Sequence, residues 1–159
     1  MSYDYEKTSI GLYRAIFKDN YTTDVGHYLK PDKDLAGSPE IAPILHPTFE
    51  DDTGDGKPSR AADILRNQTT GMYDPDTGGT SAFDRPNVLR RADGDFYIPK
   101  GTDIPPDLKL KNDGFSKRLK ATHYTIMPAK PLPKITLMGQ LDNFTRNAIR
   151  RQWELARGL

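Results

Sequence analysis

The stretch from Ile135 to Leu159 constrains the fold more than any other. It is the one long segment in which apolar residues return at three- and four-residue spacing, through Leu137, Leu141, Phe144, Ala148, Ile149, Trp153 and Ala156. That spacing builds an α-helix with one apolar stripe and leaves the remaining face to Arg146, Arg150, Arg151 and Arg157. Gly158 stands where a C-terminal cap belongs. A one-sided helix is stable only when its stripe is buried against a second layer, so the chain ahead of it has to provide that layer.

What precedes the helix alternates with period two. Ser9 to Phe17 places Ile10, Leu12, Arg14 and Ile16 on one side and Tyr13, Ala15 and Phe17 on the other, as a β-strand does. Leu119 to Met127 alternates again and stops at Pro128, Pro131 and Pro133. Val88–Arg90 and Phe96–Ile98 flank Asp93-Gly94, a hairpin dipeptide, while Leu108 and Leu110 alternate ahead of a turn at Asn112-Asp113-Gly114. Weak helical pattern covers 25–35 and 39–45, and 61–67 reads as a short helix. The acidic run from Glu50 to Pro58 is a solvated loop, since it lacks the twelve-residue calcium pattern with its terminal Glu. The expectation is an α+β fold: one domain over 1–159, a mainly antiparallel sheet with the C-terminal helix packed on it.

Such a domain has a modest core. Hydrophobic residues make up 35% of the chain, mean hydropathy is −0.73, and thirteen prolines with thirteen glycines leave much of it to loops. Without cysteine, neither disulfides nor thiolate-bound metal can stabilise it. No run of eighteen apolar residues exists and Met1 to Lys7 has no signal-peptide core, so the expected protein is soluble, makes no stable membrane association, and needs a machine to cross a membrane. The net charge of +1 conceals an asymmetry: 1–108 hold 12 Lys/Arg against 19 Asp/Glu, and 109–159 hold 11 against 3. The basic half suits an anionic ligand or an acidic protein, and its few interleaved aromatics argue against a nucleic-acid groove.

Two features carry chemistry. Asp76-Thr77-Gly78-Gly79-Thr80-Ser81 feeds paired glycines into two hydroxyls at a strand start, where backbone can approach a ligand closely and hydroxyls can bond a ribose, an amide or a phosphate. The same residues also make an ordinary turn. Arg14 on an apolar strand face either pairs with an Asp, reaches water, or clamps an anion bidentately. Conventional catalytic sets are missing. His27, His46 and His123 have no metal-ligand spacing, and neither a nucleophile elbow nor a phosphate-binding P-loop occurs, so no metal is expected. Cleavage of the nicotinamide–ribose bond of NAD suits this set, because nicotinamide leaves from a cationic pyridinium without a general acid. Arg14, Thr80 and Ser81 are then expected to converge on one cleft, with Gly79 among the residues that bind the dinucleotide.

The sequence also resembles a known family. Leu12-Tyr13-Arg14-Ala15, Asp76 to Ser81, Ile104 to Leu108, Ala121 to Ala129 and Asn143 to Trp153 are similar to the NAD-dependent effector toxins of Pseudomonas-type type VI secretion systems, along essentially the whole chain. The resemblance implies an ADP-ribosyltransferase-like fold with NAD as substrate, action in the cytoplasm of a rival bacterium, and growth arrest. It also implies partners: an immunity protein covering the cleft in the producer, an export-apparatus tube or chaperone component, and an acceptor in the target cell. The family's hydroxyl pair falls on Thr80 and Ser81 and its first-strand basic residue on Arg14. A late catalytic Glu, usual in such enzymes, has no counterpart, because Glu occurs only at 6, 40, 50 and 154. Gln140 or Asp142 stands where it would be replaced, and His123 with Tyr124 is placed to meet nicotinamide. Two other readings stay open: a ribonuclease using His123 with Lys120 or Arg118, and a non-enzymatic module binding an acidic partner.

Overall fold

A computed structural model describes residues 2–16, 45–49, 62–92 and 94–159. The helical patterns at 25–35 and 39–44, the acidic loop and Phe17 lie outside these residues. Among the described residues eight strands precede one helix: β1 (Tyr3–Asp4), β2 (Leu12–Ile16), β3 (Ile64–Arg66), β4 (Tyr73–Gly78), β5 (Thr80–Phe83), β6 (Gly94–Ile98), β7 (Leu108–Ser116), β8 (Ala121–Pro128) and α1 (Lys134–Ala156). Six of them form an antiparallel sheet in the order β1-β7-β8-β5-β2-β6, and β3 pairs with β4 separately. This is the α+β arrangement expected, an antiparallel ADP-ribosyltransferase-like sheet carrying a C-terminal helix.

The sheet has two unlike faces. On the inner face Leu12, Ile16, Ala82, Phe96, Ile98, Leu108, Leu110, Tyr124 and Ile126 form a continuous core with Leu137, Leu141, Phe144, Ala148 and Ile149 of α1. Leu45, Phe49, Ile64 and Tyr73 complete it, with Phe49 and Tyr73 in edge-to-face contact at 5.1 Å. Side-chain amides lock the helix to backbone carbonyls: Asn147 Nδ2 donates to that of Asp103 at 3.0 Å and Gln152 Nε2 to that of Tyr97 in β6 at 2.6 Å. Trp153 and Ala156 leave the stripe and are exposed, and the Trp153 ring instead carries the Arg157 guanidinium at 4.1 Å. Gly158 has φ +79° just beyond the Arg157 C-cap, as a helix terminator requires.

Three local expectations are corrected. Ile64–Arg66 is a strand and no helix, because it pairs with β4, with a shift of register between Ile64 and Arg66. Val88–Arg90 forms no strand; Phe96–Ile98 pairs with β2, through Leu12↔Ile98, Tyr13↔Tyr97 and Arg14↔Phe96. Asn112-Asp113-Gly114 does not end a strand but bulges inside β7. In each case pairing with a distant strand outweighs the local turn or helix preference.

Gly78 and Gly79 earn their place through backbone crowding. A Cβ on Gly78, at φ +117°, would lie 2.0 Å from the Asp63 carbonyl oxygen, and one on Gly79 would lie 2.1 Å from that of Ile126. The Gly-Gly corner therefore passes between β3 and β8 where no side chain fits. It turns β4 into β5 and fixes where the hydroxyls begin.

Candidate active site

Strand alternation separates the two hydroxyls. Thr80 pairs with Ile126 and lies on the inner face, 1% exposed, with Oγ1 donating to the Leu45 carbonyl at 2.5 Å. Ser81 pairs with Thr125 and points to the outer face, where its hydroxyl has no hydrogen bond among the described residues. Arg14 lies on the inner side between Leu12 and Ile16, and its Nη1 donates to the Ser81 carbonyl at 2.9 Å. Among the described residues only Tyr13↔Phe83 registers β2 against β5, and the guanidinium takes over where that ladder stops. Arg14 and Ser81 thus meet through the backbone, while Thr80 and Ser81 aim at opposite faces.

The outer face carries two rows of side chains that run across the strands. Direct cross-strand partners Tyr97, Tyr13, Phe83 and His123 form an aromatic row spanning β6, β2, β5 and β8. Tyr13 and Tyr97 stack at 5.0 Å, and Phe83 meets His123 edge to face at 5.3 Å. Burial, then the charges of Tyr97 and Asp95, pushes the Tyr13 hydroxyl above its ordinary pKa, so it stays a protonated donor at neutral pH. Beside it runs a polar row, Tyr3, Lys111, Thr125 and Ser81, again direct partners on β1, β7, β8 and β5. Hydroxyls, an ammonium and aromatic rings thus share one face, on which Ala15, Phe83 and Met127 are buried.

At the end of the polar row, Lys109 is nearly buried, lies 4.3 Å from the Tyr3 ring centre and contacts Asp76 Oδ2 at 3.3 Å, while the Tyr3 hydroxyl donates to Asp76 Oδ1 at 3.1 Å. Burial alone would raise the Asp76 carboxyl, but hydrogen bonds from Lys109 and Tyr3 with the charges of Lys109 and Lys111 hold it below its ordinary value.

The remaining expected residues are divided. His123 is on the outer face with Nδ1 2.8 Å from Asp113 Oδ2. Tyr124 faces inward, 8% exposed, its hydroxyl pushed upward in pKa by burial and then by Asp84 and Asp4. Gln140 donates from Nε2 to Asp107 at 3.1 Å and accepts from Asn143 at 3.4 Å, which ties it to the loop leading into β7. Asp142 pairs with His46 at 2.9 Å. Asp113, Thr125, Lys111 and the Tyr13–Tyr97 stack escaped the sequence reading, although strand alternation from Ser81 and His123 points to their face.

No helix of the described residues is long and apolar enough to cross a membrane. Comparison with known proteins agrees with the fold. A toxin of Pseudomonas aeruginosa PAO1, Toxin Tse2, is 69% identical to the chain over 159 residues, all of both proteins. The model of the Tse2 ADP-ribosyltransferase toxins matches residues 14–153, from the arginine beneath Ser81 to the tryptophan near the end of α1. The chain belongs to the Tse2 ADP-ribosyltransferase toxin family.

Proposed function

We propose that this protein is an antibacterial effector toxin, delivered by a type VI secretion system, that acts on NAD in the cytoplasm of the recipient cell and arrests its growth. The reaction breaks the bond between nicotinamide and ribose and passes the ADP-ribosyl group to an acceptor or to water. One observation carries the assignment to a site: Ser81, in a chain of this family, presents a half-buried hydroxyl on the outer face, opposite Thr125 and diagonal to His123. Ser81 orients the nicotinamide ribose, the aromatic row gives its ring an apolar flank, and Lys111 balances phosphate charge. Arg14 and Thr80 support this surface from behind, the first by fixing the Ser81 carbonyl and the second by fixing the 45–49 segment. No metal enters this scheme.

In the producing cell the toxin is held inactive by an immunity protein over the same face and handed to the export tube or a chaperone component. The family membership and the charge of the C-terminal half support a protein partner of acidic character.

The test is intracellular NAD, ADP-ribosylated macromolecules and total RNA after induction of the wild type and of Ser81→Ala in a bacterium. Falling NAD or new ADP-ribosylation with the wild type alone is expected. Growth arrest with NAD and ADP-ribosylation unchanged overturns the proposal, and RNA loss in that case moves the activity to a nuclease.

A further inference from the structure

Asp113 is placed by an irregularity of β7. Asn112 pairs with Tyr124 and Gly114 with His123, so Asp113 is the extra residue of a β-bulge. Gly114 takes φ +99° and its N–H donates to Asn112 Oδ1 at 2.8 Å, a local turn that only glycine makes without strain. The bulge leans the Asp113 carboxylate over the outer face. Its Oδ2 accepts from Thr125 Oγ1 at 2.5 Å and from His123 Nδ1 at 2.8 Å, and Oδ1 lies 3.9 Å from Lys111 Nζ.

A carboxylate only accepts, so Nδ1 of His123 must carry the hydrogen, which leaves Nε2 as the acceptor in the neutral ring. No described residue bonds to Nε2. Ser81 stands opposite Thr125, and His123 opposite Phe83, so Ser81 and His123 are diagonal neighbours on adjacent strands, with a spacing of about 7–8 Å between such positions. A substrate ribose bound to the Ser81 hydroxyl lies within reach of Nε2.

We propose that Asp113 is a positioning residue that makes His123 the general base of the reaction, in the place that ADP-ribosyltransferases usually give to a late Glu. The inference rests on the NAD chemistry proposed above. As the bond between ribose C1′ and the nicotinamide nitrogen breaks, its electron pair returns to the pyridinium and nicotinamide leaves neutral. The oxygen of water or of an acceptor hydroxyl forms the new bond to C1′, and its proton passes to His123 Nε2. Asp113 stabilises the resulting imidazolium through Nδ1–H, and the proton is released to solvent afterwards.

The experiment uses the purified full chain as wild type, Asp113→Asn, His123→Ala, the double variant and Thr125→Val. NAD turnover is measured beside the nitrogen resonances of the His123 ring and the melting temperature. The wild type and Thr125→Val are expected to hold the Nδ1–H tautomer, and Asp113→Asn to lose it. With the same variant kcat falls about 100-fold, a usual size for an acid–base contribution, and KM changes little. The double variant is no slower than His123→Ala, because both changes remove one function. Unchanged kcat in Asp113→Asn, an unchanged tautomer, or losses that multiply in the double variant overturn the inference. Wild-type protein that turns over no NAD overturns the NAD chemistry itself, a result distinct from wild-type turnover that Asp113→Asn leaves intact.

Discussion

The two faces of the six-stranded sheet use the same strands for different ends. Inward, Arg14 donates to the Ser81 carbonyl and Thr80 to the Leu45 carbonyl, so both tie backbone to backbone. Outward, Ser81 is unbonded among the described residues, and Asp113 joins three neighbouring side chains of β7 and β8. Buried polar groups must be satisfied or the fold loses free energy, whereas groups at a surface can wait for a ligand. The difference teaches that neighbours in sequence, such as Thr80 and Ser81, can belong to separate functions. One holds the sheet and the other meets substrate.

The sharpest way to break this division is at the corner between β4 and β5. Gly79→Ala puts a methyl 2.1 Å from a β8 backbone oxygen, and a loss of about 4 kcal/mol or more is expected, read as failure to melt cooperatively. If Gly79→Ala folds normally but no longer binds NAD, the corner serves a ligand and not the sheet. Next in size is the activity of Ser81→Ala, expected to drop about 100-fold with the melting temperature held, since its hydroxyl bonds to no described residue. Thr80→Val should show the reverse emphasis. It keeps the shape but leaves the buried Leu45 carbonyl unpaired, at a cost of about 1–3 kcal/mol in chemical denaturation. Equal activity losses in the two variants, with equal stability, would erase the distinction.

The smallest effect is a local pH response at the outer edge. Asp76 has a lowered carboxyl pKa in the fold, so its contribution is complete above the ordinary value of 3.8 and fades as pH falls through the lowered one. Tyr3 is raised, first by its hydrogen bond to Asp76, so its contribution is complete below 10.0 and fades as pH rises through the raised value. Protection of the β1 amides, relative to their intrinsic exchange rates, should therefore fall at both extremes while that of the β2 amides holds. Uniform exchange at both sites would show that β1 is not held by this cluster.

Period carried most of what the sequence disclosed. The alternation of Leu12–Ile16 and Ala121–Ile126 and the stripe of α1 are legible because each buries one side, and burial imposes spacing. β4 is illegible on the same terms: Tyr73-Asp-Pro-Asp-Thr-Gly has the composition of a turn and is a strand because β3 and Leu132 pair with it. Asp113 hid for a related reason, since Asn-Asp-Gly ends strands more often than it interrupts them. The separation of Thr80 from Ser81 was implicit in placing both on a strand, where adjacent side chains diverge. What alternation could not supply was the register that sets Ser81 beside Thr125 and His123, for that depends on where a distant strand docks.

The bulge in β7 has a consequence for descent with modification. An inserted residue in a paired strand normally reverses every side chain beyond it, yet here the extra position is absorbed between Asn112 and Gly114, and Phe115 and Ser116 still pair with Thr122 and Ala121. The carboxylate it carries can be exchanged, shortened or lost while the hydrophobic interior remains as it was. Lineages of this toxin can therefore revise their chemistry at one exposed kink and inherit the scaffold unchanged.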